Sequence, residues 1–334
     1  MTATLQLPTN AENSAVLDFA ASSSLNPAAV YIESLGSEVS KRTMISPLNR
    51  AACIINPALS GKNAWQEIPW GKLTAPSVRA IMAKLGGSPA TRNKALSALK
   101  GVARVAWEMR QICSDEKERI ESIKGDKGSR EIAGRFVPLG EVAGLLRVCA
   151  DDRSAAGIRD AAMLTLAAAT GVRRAEIASI VAENVKHPEA GRVEIRIIGK
   201  RNKERILYVT GNAALALGDW LTVRFETGCN TGPLFCAIRK NGEVLYGTGF
   251  STTALDKILN KRGREAGVAD LDWHDLRRTT ASNLLDAGAD IVTVAGILGH
   301  SNVQTTARYD RRGERARIKA SELLTVPYFA RRAA

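Results

Sequence analysis

Hydrophobic residues recur at three- and four-residue steps over much of the chain, a spacing typical of helices with one buried face. The clearest case runs from Thr91 to Cys113, where an apolar stripe is formed by Leu96, Leu99, Val102, Ala106, Met109 and Cys113. Lys100 and Arg104 lie off this stripe, and we interpret them as part of a solvated face. We therefore predict a helical domain over residues 27–123, preceded by a flexible tail over residues 1–26 that is rich in Ala, Ser, Thr and Asn.

The segment from Cys113 to Arg135 interrupts this pattern. It is highly charged, contains three glycines and lacks a strong apolar period, a composition typical of a linker. We place the linker itself at residues 124–136 and a second domain at residues 137–334.

The second domain is also predicted to be mainly helical, with helices over residues 138–150, 158–170, 213–225, 252–266, 274–287 and 290–298. The 158–170 stretch is Ala-rich and uncharged over most of its length, so we expect a buried central helix that ends at Gly171. Two β-prone runs, 193–198 and 206–209, are joined by a cationic Gly-Lys-Arg-Asn-Lys segment and predict a β-hairpin. The expected fold class is mainly α with a small antiparallel β-sheet, in two domains.

The charge balance limits the classes of partner. The 334 residues carry 47 Lys and Arg against 34 Asp and Glu, a formal net charge of +13 that is shared by both halves of the chain. An excess of this size favours nucleic acid as the partner, with an anionic membrane surface as the second candidate. The longest uncharged apolar stretch, 161–172, is too short to span a bilayer, and we expect no membrane association.

Cysteine usage and the N-terminal residues predict the compartment. The five cysteines are scattered without a CxxC pair, which indicates neither a disulfide scaffold nor a zinc knuckle. The first ten residues contain no Lys or Arg, so a secretory signal is not indicated. We therefore expect a reducing, cytoplasmic setting.

Three short segments contain residues suited to chemistry on an anion. In the first, Arg173 follows Gly171 at the start of a helix, where free backbone N–H groups favour anions, and Glu176 lies one turn away. In the second, His274 and Arg277 share a helix face. The third contains His300 and, nine residues later, Tyr309. Each segment alone is also explained by ordinary structure: a surface ion pair, a histidine beside a tryptophan, or a packed aromatic.

Together the three segments fit the chemistry of a DNA phosphodiester. In-line attack places extra negative charge on the non-bridging oxygens, which the planar guanidinium groups of Arg173 and Arg277 can neutralise with paired N–H bonds. His274 and His300 can add N–H donors and transfer protons near neutral pH.

The remaining parts of such a reaction are a nucleophile and an acid. The hydroxyl of Tyr309 can attack the phosphorus and hold it covalently. Lys200, at the hairpin tip, can protonate the leaving 5′-oxygen. An arginine pair makes a metal unnecessary, and the sequence contains no carboxylate or Cys/His cluster with metal spacing, so we expect neither metal nor cofactor.

These pieces resemble the tyrosine recombinases of the phage-integrase family over residues 136–320. The resemblance rests on T-G-V-R with Glu three residues later (170–176), G-K-R-N-K-E-R (199–205), H-D-L-R (274–277), L-G-H (298–300) and Tyr309, all in the family's order. The N-terminal half resembles the family's helical core-binding domain in general character only. The resemblance implies a two-domain DNA clamp with a catalytic second domain.

The roles that the resemblance implies are as follows. Activation of the scissile phosphate falls to Arg173, His274, Arg277 and His300. Lys200 would be the general acid and Tyr309 the nucleophile that forms a 3′-phosphotyrosine. Glu176 would orient the first arginine. Family members act on double-stranded DNA with specific sites, as homo-tetramers that exchange strands through a Holliday junction, and residues 320–334 would dock on a neighbouring subunit.

Several alternatives stay open. Val172 replaces a usual Leu, and Arg201 replaces a frequent turn glycine, so either Lys200 or Lys203 can be the acid; we prefer Lys200 by register. A type IB topoisomerase uses similar chemistry, and a non-catalytic DNA-binding protein could share the scaffold. The target site, accessory DNA-bending proteins, cleavage in cis or in trans, and the task (integration, excision or resolution of a mobile element or replicon) are not determined by the sequence.

Overall fold

The computed structural model describes residues 26–128, 134–189, 191–199, 203–226 and 228–310, together with Ile318 and Ser321. The chain divides into two compact units, Met1–Arg130 and Glu131–Ala334. Three predictions fall on residues that are not described: the tail up to residue 25, the placement of Lys200, and most of the docking segment over 320–334.

The described part of the first unit is helical. Its helices are α1 (Pro27–Glu33), α2 (Glu38–Ile55), α3 (Ala75–Lys84), α4 (Pro89–Glu108) and α5 (Ser114–Glu121), with short 3₁₀ turns at Ala64–Glu67 and Trp70–Lys72. Side chains of residues that precede four of these helices accept hydrogen bonds from the first-turn N–H groups: Asn26, Ser37, Thr74 and Ser88. The apolar stripe of α4 lies in the core, as predicted, with Leu99 and Val102 fully buried.

The end of α4 differs from the prediction. The helix stops at Glu108, and Arg110 adopts a positive φ of 58°. Met109 and Cys113, which the apolar spacing assigned to the same helix, therefore lie beyond its end. Helix α5 then forms within the charged segment that has linker composition. It does so because Ile120, fully buried, anchors it to the core of this unit.

The prediction that Lys100 belongs to a solvated face is wrong. Its Nζ donates hydrogen bonds of 2.7 Å to the carbonyl oxygens of both Glu121 and Ile123, at the end of α5. The ammonium group caps carbonyls that the helix leaves without partners. Arg104 matches the prediction, since its side chain is 62% exposed.

The second unit combines helices with two small antiparallel sheets. Its elements are α6 (Leu139–Asp151), α7 (Ala155–Thr170), α8 (Arg174–Ser179), β1 (Val185–Glu189), β2 (Arg192–Ile198), β3 (Glu204–Thr210), α9 (Gly211–Phe225), β4 (Ala237–Ile238), β5 (Val244–Leu245), α10 (Thr252–Glu265), α11 (Trp273–Asp286), α12 (Ile291–Leu298) and α13 (Val303–Ala307). Strands β1, β2 and β3 form one sheet in that order, and β4 pairs with β5. The predicted fold class is confirmed.

Helix α7 is the buried central helix that the sequence predicts. It packs against α6, α9, α11 and β3, and most of its side chains are buried. Its two charged residues are buried as a pair: Arg159 donates to the carboxylate of Asp160, which also accepts from Arg262 of α10. This pairing offsets the desolvation of charges inside the core.

The β2–β3 hairpin has one buried and one exposed face. Leu207 and Val209 of β3 point into the core, while Ile206 and Tyr208 are exposed. Arg205, which lies opposite Ile197 of β2, is on the same face of the strand as Leu207 and Val209. Among the described residues, no helix is both long and apolar enough to cross a membrane, and no group of three His, Cys, Asp or Glu side chains could hold a metal ion.

Helix α9 offers a matched test of this packing. Leu217 is fully buried, whereas Leu215, two residues away, is 68% exposed. We expect Leu217→Ala to lower the free energy of unfolding by about 2–5 kcal/mol, because it removes buried methyl groups and leaves a cavity. Leu215→Ala should change it by less than about 0.5 kcal/mol. Urea denaturation of both variants checks this, and equal losses would contradict the placement of α9.

Candidate active site

The buried arginine of the site is Arg277, on the second turn of α11. It is 2% exposed, and its guanidinium donates to the carbonyls of Gly171 (2.6 Å) and Leu298 (2.7 Å). Gly171 ends α7 with a φ of 61°, and a Cβ there would lie 2.5 Å from a methyl group of Leu298, so this close turn requires glycine. Burial, and next the charge of Arg173, lower the pKa of Arg277 to about 9, which still leaves it cationic at neutral pH.

The second arginine, Arg173, immediately precedes α8. Its Nη1 donates to Glu176 (2.9 Å) and its Nη2 donates to the carbonyl of Gly299 (2.8 Å). The backbone N–H of Arg173 also donates to Glu176, at 2.9 Å. The side chain as a whole is 34% exposed. The contact between Arg173 and Glu176 that the sequence suggests is therefore present. It is an ion pair held in place by further hydrogen bonds rather than a loose surface contact.

Glu176 contacts a second arginine that the sequence analysis did not single out. Arg205 of β3 donates to both carboxylate oxygens, at 2.9 and 2.8 Å, and its Nε donates to the carbonyl of Ile297 (3.2 Å). Glu176 is 5% exposed; burial opposes its charge, but the bonds from Arg205 and from the N–H of Arg173 outweigh burial and lower its pKa. The sequence alone offers no clear signal for this contact, because residues 206–209 are all apolar and only the structure shows which face of β3 is buried.

His300 follows the turn that ends α12. Gly299 forms this turn with a φ of 66°, and Nδ1 of His300 lies 2.8 Å from the hydroxyl of Thr306, which is fully buried. Burial, then the nearby charges of Arg277 and Arg173, lower the pKa of His300 to about 4. The imidazole is therefore neutral at pH 7, and its Nδ1 is hydrogen-bonded to the threonine hydroxyl.

The nucleophile candidate, Tyr309, lies two residues after α13. It is 7% exposed, packs with the small cluster formed by α11 and α12, and its carbonyl accepts a 3.0 Å bond from Ser282. Its hydroxyl is 3.3 Å from Nε2 of His274, and its ring centroid is 6.0 Å from that of His300. Burial and the charges of Arg278 and Arg277 lower the pKa of His274, so its neutral form is favoured.

These contacts join the predicted residues into one region of the second unit. The acceptors of Arg205, Arg277 and Arg173 are three consecutive carbonyls, those of Ile297, Leu298 and Gly299, and His300 comes next. An adjoining cavity of about 390 Å³ is lined by residues that include Arg173, Gly199, Lys203, Arg205, His300 and Ser301. Lys203 is exposed at this cavity, and Lys200 lies outside the described residues.

The lowered pKa of His300 predicts a pH dependence of stability. The same imidazole in the unfolded chain titrates near pH ~6.5. Between that pH and about 4, the unfolded chain binds more protons than the folded one, so the free energy of unfolding falls as the pH is lowered through this window. His300→Gln should flatten the fall, whereas removal of the exposed His187 by His187→Gln should not. Urea denaturation of the wild type and both variants between pH 7 and 4.5 checks this. If the free energy of unfolding changes with pH by the same amount in all three proteins, the burial of His300 is contradicted.

Comparison with known proteins places the chain in a family. Residues 135–315 match the Phage integrase family. The chain is 31% identical over 224 residues to the tyrosine recombinase XerC of Corynebacterium glutamicum, covering 67% of this chain and 68% of the relative. It is 35% identical over 200 residues to that of Roseiflexus castenholzii, covering 58% of this chain and 59% of the relative.

Solved structures show the same fold. A XerH site-specific recombinase bound to its difH substrate aligns with a TM-score of 0.63 at 19% identity, over 85% of this chain and 80% of that one. A lambda integrase dimer bound to a COC′ core site aligns with a TM-score of 0.59 at 14% identity, over 91% and 83%. The chain therefore belongs to the phage integrase family and is a tyrosine-type site-specific recombinase.

Proposed function

We propose that this recombinase cleaves and rejoins double-stranded DNA at specific sites through a 3′-phosphotyrosine on Tyr309. The observation that carries the proposal is the convergence of Arg173, Arg277 and His300 on one turn, through the consecutive carbonyls of Leu298 and Gly299. Two guanidinium groups and a neutral imidazole fixed this closely form a site for one phosphate group.

In the proposed phosphate site, the positively charged groups are held in place before DNA binds. Arg173 and Arg277 are each held by carbonyl oxygens, so their orientation does not have to be organised during the reaction. Their remaining N–H groups would bond the non-bridging oxygens, which gain negative charge as the phosphorus becomes five-coordinate. The nitrogen of His300 that Thr306 does not hold would donate a further bond.

The cleavage step involves two proton transfers, one from the attacking tyrosine oxygen and one to the leaving 5′-oxygen. The Tyr309 oxygen forms a bond to phosphorus while the bond from phosphorus to the 5′-oxygen breaks. The phenol proton passes to Nε2 of His274, 3.3 Å away, whose lowered pKa favours the neutral form that accepts it. Lys200 gives a proton to the 5′-oxygen. Glu176 keeps Arg173 oriented, and the reverse reaction reseals the strand without ATP because the phosphotyrosine conserves the bond energy.

A solved structure supports a proposal about the assembly. A lambda integrase tetramer bound to a Holliday junction aligns with this chain at a TM-score of 0.58 over 90% of its length. We propose that this chain likewise forms a homo-tetramer on paired sites, exchanges strands through a Holliday junction, and acts on cytoplasmic, nucleoid DNA. The outcome would be integration, excision or resolution of a mobile element or replicon. Residues 320–334 would dock on a neighbouring subunit.

The nucleophile is tested by trapping. A set of nicked duplexes, made from DNA that binds the protein in selection from a random pool, should give a denaturation-resistant protein–DNA adduct on an electrophoretic gel. Tyr309→Phe should abolish the adduct, because it removes only the attacking oxygen. Tyr208→Phe, at an exposed tyrosine of β3, is the matched control and should retain it. An adduct that persists in Tyr309→Phe, or relaxation of supercoiled plasmids without any selected site, would reject the proposal.

The acid is tested with DNA that carries sulfur in place of the bridging 5′-oxygen. A thiolate leaves without a proton, since thiols have a pKa near ~8.5. Lys200→Ala should slow cleavage of ordinary DNA by about 10²- to 10⁴-fold and regain most of the rate on the sulfur-containing DNA. Lys203→Ala should stay near wild type on both. The opposite pattern in single-turnover assays would assign the acid to Lys203.

A further inference from the structure

Arg205 lies outside the predicted site residues, but its guanidinium group is closely bonded to them. All three of its guanidinium nitrogens are used: Nε on the carbonyl of Ile297, and Nη1 and Nη2 on the two oxygens of Glu176. Its side chain is only 13% exposed. A Cβ on Gly299 would lie 2.6 Å from Nη1, so the glycine turn that carries His300 is packed directly on this guanidinium.

Glu176 is shared between two arginines rather than committed to one. Each of its oxygens accepts two hydrogen bonds: Oε1 from the side chains of Arg173 and Arg205, and Oε2 from the backbone of Arg173 and the side chain of Arg205. A lone buried carboxylate would neutralise Arg173 and hold it against the protein. With Arg205 present, the three groups keep a net positive charge, while Arg173 is held by Glu176 through Nη1 and by the Gly299 carbonyl through Nη2.

The same contacts also reach the base of the hairpin. A Cβ on Gly199 would lie 3.3 Å from Oε1 of Glu176, and the Gly199 N–H donates to the carbonyl of Lys203 at 2.7 Å. Arg205 could therefore act in two ways: through Glu176 on Arg173, or through the hairpin on the acid at its tip. The number of direct bonds favours the first route, because four hydrogen bonds link Glu176 to the two arginines.

We propose that Arg205 is a positioning residue for phosphate activation, which acts by sharing the Glu176 carboxylate with Arg173. This rests on the proposed function, since it concerns the same phosphate site. Arg205 does not contact DNA in this account. It sets the orientation and the net charge of the group that does.

The first test separates positioning from binding and from stability. Arg205→Gln should lower the single-turnover cleavage rate at saturating protein by about 10- to 100-fold, because a small misplacement of Arg173 is amplified in the transition state. The protein concentration that gives half-maximal DNA binding should change less than about twofold, because binding is spread over many phosphate contacts. Arg262→Gln, which breaks a buried arginine–carboxylate contact between α10 and α7, is the matched control. It should lower the melting temperature without lowering the cleavage rate of the folded protein.

The second test asks whether Arg205 acts through Glu176. In a double-mutant cycle, Arg205→Gln combined with Glu176→Gln should be clearly less impaired than the product of the two single effects, because both changes disrupt one shared contact. If the rate losses of the two single variants simply multiply in the double variant, the proposal is overturned. A cleavage rate for Arg205→Gln within twofold of wild type would also overturn it. Should Arg205→Gln melt below the assay temperature, Arg205→Lys replaces it in the cycle.

The third test distinguishes the two routes. If Arg205 acts on Arg173, the defect of Arg205→Gln persists on DNA with sulfur at the 5′-bridging position, where no acid is needed. Full recovery on that substrate would assign Arg205 to the hairpin acid and overturn the proposal. An absence of adduct in the wild-type protein would instead remove the proposed function itself, whereas wild-type cleavage with an unimpaired Arg205→Gln rejects only this inference.

Discussion

The site depends on the unpaired carbonyl groups at the C-terminus of helix α12. The last turn of a helix leaves carbonyls without intrahelical partners, and its dipole places partial negative charge there. In this protein the N–H groups of Gly299 and His300 bond the carbonyls of Gly296 and Ala295, which leaves those of Ile297, Leu298 and Gly299 for side chains. Three arginines donate to them: Arg173, just before α8, Arg205 of β3 and Arg277 of α11. One helix end thus collects the cations that the proposed chemistry needs.

Collecting like charges in a buried region is costly, and the structure shows how the cost is limited. The Arg277 guanidinium is almost fully desolvated and lies near Arg173, and both effects lower its pKa. Glu176 offsets part of the repulsion, and the carbonyls supply partial negative charge. Among the residues that the structure describes, Glu176 is the carboxylate that Arg173 and Arg205 share. Under the proposed function, a DNA phosphate would supply further negative charge to these arginines.

Much of this arrangement follows from the sequence, and the rest does not for physical reasons. The helical periods, the turns at Gly171 and Gly299 and the β-hairpin are local features, because spacing and glycine conformations determine them over a few residues. Contacts between distant segments are different. Lys100 caps the end of α5 instead of facing solvent, since its partners are carbonyls 21 and 23 residues away. The role of Arg205 does not follow from the sequence, because its partner Glu176 precedes it by 29 residues and the all-apolar run 206–209 does not show which face of the strand is buried.

The central claim is that side chains far apart in the chain act on one DNA phosphate. A crystal structure of the full chain with cleaved site DNA and orthovanadate, which mimics five-coordinate phosphorus, tests it most directly. The account predicts vanadium between the Tyr309 oxygen and the 5′-oxygen, with equatorial oxygens within about 3.2 Å of Arg173, Arg277 and His300. Vanadate bound without contact to either arginine, or held by a group other than Tyr309, would contradict it.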